Sequence, residues 1–126
     1  VASEILHLHL SKLTESDPAV PGREVIPCWG WREGLADDVV FALNRWNWRI
    51  DAARTHTAGY AIFEAEKRIV LVAQVEGVTD GPEEGTHSIV GRVLTSGPVY
   101  DQWFGKPSPI ARPSTQGVNW VSLQEA

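Results

Sequence analysis

Two apolar runs, "YAIFEA" at 60–65 and "RIVLVAQVEGV" at 68–78, meet across the short polar break "EK". No other feature of the chain narrows its fold as much. Runs rich in β-branched and aromatic residues, so close together, predict two antiparallel strands joined by a tight turn. "EILHLHL" at 4–10 alternates strictly, with Leu6, Leu8 and Leu10 on one face and Ile5, His7 and His9 on the other. That alternation predicts a strand with one buried face. "HSIVGRVLT" at 87–95 and "VNWVSL" at 118–123 predict two more strands, with Gly91 at a bulge or a close backbone approach.

Between the first strand and the hairpin the period changes. Leu35, Val39, Leu43 and Trp46 recur at spacings of four, four and three, which predicts a helix over 35–46. Asp37 and Asp38 sit near its N-terminal end, where they suit the dipole. "IDAARTHTAG" predicts a second short helical turn closed by Gly59, and "PVYDQWFG" a turn opened by Pro98. A short extended piece is expected at "REVIP", residues 23–27. The order is strand, helix, then several strands with long loops. The expectation is an α+β fold: a small curved antiparallel sheet or β-barrel with one or two helices packed on it. The 126 residues fit a single domain, with no internal repeat.

Composition trims the list of functions. A net charge of −5 argues against broad, sequence-independent binding to duplex DNA, which depends on many phosphate contacts. It leaves room for a reader that grips one base in a pocket. The one cysteine, Cys28, allows no internal disulfide and suggests a reducing, cytoplasmic setting. The start of the chain lacks a signal-peptide pattern, and no apolar run has the roughly 20 residues that a membrane span requires. No phosphate-binding loop, dinucleotide fingerprint, nucleophile elbow or paired-cysteine metal motif is present.

Three weaker constellations remain. His7 and His9 would point the same way on a strand, a spacing that suits a metal if His56, His87, Cys28 or a carboxylate completes the set. A polar strand face carrying two histidines is the favoured reading, with no metal or cofactor. Glu64 and Glu66 would share a face and could divide acid and base roles, although beside Lys67 and Arg68 a solvated turn is favoured. His56 and His87 with Arg92 or a neighbouring arginine supply the residue types of a small metal-independent nuclease.

The six tryptophans are the most unusual feature. Trp46 fits the helical stripe and Trp120 the last strand, so both are expected in the core. Trp29 and Trp31 lie on a glycine-interrupted segment, Trp48 lies off the stripe, and Trp103 neighbours Gly105 and Lys106. Rings on loops at a sheet rim are how single bases are gripped. Arg45, Arg49 and Lys106 would contact phosphate, and Asn47 or Asn119 would read a base edge.

"RWNWRI" at 45–50, the hairpin, "SIVGRVL" and "VNWVSL" together resemble the layout of the PUA-like superfamily, over about residues 41–123. That group includes EVE, ASCH and YTH modules. The resemblance implies a small β-barrel with an aromatic pocket for a modified or flipped base. The leading expectation is therefore a non-enzymatic module that binds a modified or unstacked nucleotide or nucleic acid. Its ligand residues would be Trp29, Trp31, Arg45, Asn47, Trp48, Arg49, Trp103 and Lys106. The alternatives are the small nuclease or toxin-like enzyme and a protein-interaction module with an exposed tryptophan patch, as in a phage or bacterial regulator.

Overall fold

The computed structural model describes residues 4–15, 28–46, 48–81, 83–110 and 117–122. Within them lie strands β1 (Glu4–His9), β2 (Thr14–Glu15) and β3 (Cys28–Trp29), then helices α1 (Asp37–Asn44) and α2 (Ala52–Ala58). Strands β4 (Tyr60–Ala65), β5 (Arg68–Asp80) and β6 (His87–Val93), helix α3 (Pro98–Trp103) and strand β7 (Val118–Ser122) follow. The fold is α+β: a five-stranded, mostly antiparallel open sheet in the order β6-β5-β4-β1-β7, with three short helices among the described residues. β2 and β3 form a separate small ribbon. "REVIP" lies outside the described residues. No helix among the described residues is long and apolar enough to cross a membrane.

The pair at the centre of the sheet was not foreseen: β1 runs parallel to β4, with Leu6 beside Ala61 and Leu8 beside Phe63. A parallel pair needs a long crossover, and the stretch containing α1 and α2 supplies it. The consequence is burial on both faces. Leu6, Leu8, Ala61 and Phe63 join the larger cluster with Val40 and Phe41 of α1. Ile5, Ile62, Ile69 and Val72 face the other way, onto Trp103 of α3. The expected one-sided burial of 4–10 is thus corrected. Layers cover both sides, as parallel strands require, and His7 is fully buried.

α1 is shorter than 35–46 and is turned about its axis. Its buried positions are Val40, Phe41 and Asn44, while Val39 is 41 % exposed. The stripe that includes Val39 is therefore not the face that packs. Asn44 takes its place because it is a clasp. It accepts from the Gly30 N–H at 2.7 Å and donates to Gly30 O and Val40 O, both at 2.8 Å, tying the β3 segment to the helix. α2 forms where expected. The Asp51 carboxylate accepts from Arg54 N at 3.0 Å, and Gly59 closes the helix in the left-handed region at φ 78°.

The hairpin turn is Glu66-Lys67, at φ 52° and 67°. Two positive φ values are what a two-residue hairpin turn demands, yet neither residue favours them. The double substitution E66N/K67G should stabilise the protein by about 1 kcal/mol. A urea midpoint that fails to rise would show that this strain is compensated elsewhere.

Candidate functional site

The two tryptophans of "RWNWRI" both terminate α1. A helix leaves its last carbonyls without intrahelical partners. Trp46 Nε1–H donates to Ala42 O at 2.8 Å, and Trp48 Nε1–H donates to Asn44 O at 2.5 Å. Side-chain donors thus cap this helix end, which lacks a glycine cap: Arg45 holds the C-cap position at φ −80°. Both rings are fixed before any ligand arrives. The Arg45 guanidinium lies over the Trp46 ring, 3.9 Å from its centroid.

The backbone of the same segment is pinned to the sheet. Trp48 N donates to His87 O at 2.9 Å and His87 N to Trp48 O at 2.8 Å, while Ile89 N reaches Arg45 O at 2.8 Å. The segment therefore lies along the β6 edge. On its other side, a methyl placed on Gly117 would sit 3.5 Å from the Trp48 ring, and Gly117 O accepts from His9 N at the start of the β7 edge. Trp48 thus lies near both His87 of β6 and Gly117, which precedes β7. Arg49 extends from there, exposed, to the turn at Gly85, where an added Cβ would meet its Nη1 at 3.1 Å.

The expected ligand residues do not all meet. Arg45, Trp46, Trp48 and Arg49 share one short segment, in which Arg45 lies over Trp46, Trp48 lies near Gly117 and Arg49 reaches toward Gly85. Asn47 lies outside the described residues. Trp31 is 9 % exposed and belongs to the larger core cluster, with Arg68 5.4 Å from its ring centroid. Trp29 is half-buried in β3. Trp103 packs on the opposite face of the sheet, and the exposed Lys106 follows it there. Neither reaches the other rings. Trp46 and Trp48 are both half-buried, so Trp46 is not the core residue that the helical stripe predicts. Trp48 packs against the core, whereas Trp46 is half-buried beneath Arg45. Trp120 is half-buried against the core, with Arg54 4.2 Å from its ring centroid.

The nuclease set is also dispersed. His56 is exposed on α2, and Arg92, near the far end of β6 from His87, donates to Gln74 Oε1 at 2.8 Å. His87 and Arg92 stand five positions apart on one strand, so they project from opposite faces.

A second polar centre, built from two of the weaker constellations, lies inside the molecule. His7 Nε2 sits 2.7 Å from Glu64 Oε1, with the side chains 0 % and 3 % exposed. Ser108 Oγ also contacts Glu64 Oε1, and Asn119 Nδ2 lies 3.4 Å from His7 Nδ1. Glu64 is thus not part of a solvated turn, while Glu66 is exposed as expected. Burial pushes the His7 pKa below its ordinary value, outweighing the opposing pull of Glu64. A neutral His7 donates from Nε2 to the carboxylate and accepts from Asn119 at Nδ1. No group of three potential metal ligands gathers among the described residues. The depth of this array suits it to fixing the β1–β4–β7 register.

No family model, no curated protein sequence and no solved structure matches this chain.

Proposed function

We propose that this protein is a non-enzymatic binding module that holds an unstacked or modified nucleotide, alone or within a nucleic acid strand, on the 45–49 segment. One observation supports the reading: two indoles locked by their N–H groups to the end of α1, with the Arg45 guanidinium stacked on one of them, Trp46. Their hydrogen-bonding capacity is spent, so the half-buried Trp46 has only its aromatic surface to offer. Any base has a π-face, and stacking on a ring already fixed loses little further entropy. The PUA-like resemblance points to the same class of ligand. An acidic chain with these arginines and rings would draw its affinity from stacking, with few phosphate contacts.

Calorimetric titration with ordinary and methylated nucleosides, and with a short single-stranded oligonucleotide, tests the proposal. W46A should weaken binding by about 1–3 kcal/mol, the worth of one stacked base. W46F keeps a smaller flat face but loses the fused ring and the N–H that fixes it, so it should bind between the parent and W46A. No heat with any probe would overturn the reading. So would cleavage of RNA that disappears in H56A or H87A.

A further inference from the structure

Given the nucleotide-binding reading above, on which it rests, we infer that the ligand carries a phosphate and that the Arg45 guanidinium grips it. Arg45 Nη1 is buried and has no hydrogen-bond partner. A guanidinium carries five N–H donors, and burying a charged one without an acceptor is costly. Stacking over Trp46 uses the flat face of the group and leaves its N–H edge unspent. The end of α1 does not use that edge either, because the carbonyls of Ala42 and Asn44 are taken by the two indoles.

The molecule contains the completed form of this arrangement elsewhere. The Arg54 guanidinium also lies over an indole, 4.2 Å from the Trp120 ring centroid. Its Nε and Nη2 donate to the two carboxylate oxygens of Glu4, each at 2.6 Å. Arg45 repeats the stacked half of that motif without the oxyanion. The missing partner is therefore an anion able to take a planar fork of donors.

Phosphate fits better than carboxylate. The Arg54 fork occupies both oxygens of its carboxylate, whereas a phosphate held by the Arg45 fork keeps a further oxygen for its ester link to the nucleoside that the reading above places on Trp46. The adjoining Trp46 face supplies a place for a base. Together they describe a nucleoside monophosphate unit, free or within a strand.

The test titrates the full chain with the four nucleosides, methylated adenosine and cytidine, the matching monophosphates, and inorganic phosphate. Monophosphates should bind at least about tenfold tighter than their nucleosides, as expected for charge-assisted bonds. R45Q should bring that ratio close to one. R45K, which keeps the charge without the fork, should retain part of the preference; thermal melting confirms that both variants fold. Equal affinity of the parent protein for nucleoside and monophosphate would overturn the phosphate assignment while base binding stands. A phosphate preference unchanged in R45Q would remove Arg45 from the role. Silence from every probe would end both this inference and the reading beneath it.

Discussion

Replacing His7 with leucine should cost the fold about 3–5 kcal/mol, because it strands a buried carboxylate. Glu64 would keep only the Ser108 hydroxyl, at 3 % exposure. The reverse change, E64L, leaves a neutral imidazole N–H without its acceptor while the Ser108 hydroxyl keeps Ile110 O, a smaller loss of about 1–3 kcal/mol. H7L/E64L removes both polar groups from an apolar face formed with Ile5, Ile62 and Trp103, and should recover much of the single-mutant damage. Urea denaturation of the four proteins closes the cycle. Strictly additive losses would mean that the two side chains do not interact.

The same pair sets a pH dependence. His7 titrates below its ordinary value in the folded protein, so between that lowered value and about 6.5 the unfolded chain binds the extra proton. Its contribution is fully present above the unfolded value and is lost as pH falls through this window. The carboxylate shifts act lower. Arg54 holds Glu4 below its usual range, and burial raises Asp37. The H7L/E64L protein, in which no carboxylate is stranded, should therefore show a flatter stability profile near pH 6 and keep the acid limb.

These residues also mark how far the sequence could be read. Local patterns were enough for the hairpin, the Gly59 cap, the Pro98 turn and the last strand, because turn chemistry and period act over a few residues. Alternation in 4–10 located β1 but misjudged His7. Strand period reports which side chains share a face, not whether a second layer covers that face. The cover comes from α3 and the residues after it, about a hundred positions away. The His7–Glu64 contact was equally hidden, since it depends on a parallel register between distant strands. For "RWNWRI" the sequence assigns the rings by helical period alone. The indole N–H groups decide their positions, and they follow the carbonyls at the helix end. Trp103 was grouped with the other rings because a count of aromatics carries no information about opposite faces of a sheet.

Alanine at Gly91 should destabilise the protein by about 3 kcal/mol, a large overpacking cost, and disturb the candidate site as well. The constraint is space. An added Cβ would overlap Gln74 O, and it would lie 3.0 Å from Gln74 C and 3.3 Å from Val75 Cα, all backbone atoms of the adjacent strand. The crowding arises where the β5–β6 register shifts: Val75 pairs with Gly91, but Gly77 pairs with Val90. The extra residue, Glu76, bulges and brings the two chains together. β6 cannot move aside freely, since Ile89 is fully buried in the larger cluster. Any displacement passes to the backbone bonds from His87 and Ile89 to Trp48 and Arg45, which hold the ring segment against this edge. G91A should therefore lower the urea midpoint and, at the proposed site, the affinity for nucleotide. The turn variant E66N/K67G, at the far end of β5, should leave affinity unchanged. A G91A protein within about 0.5 kcal/mol of the parent would refute the close approach. One that is destabilised but binds normally would show that the segment keeps its geometry without β6.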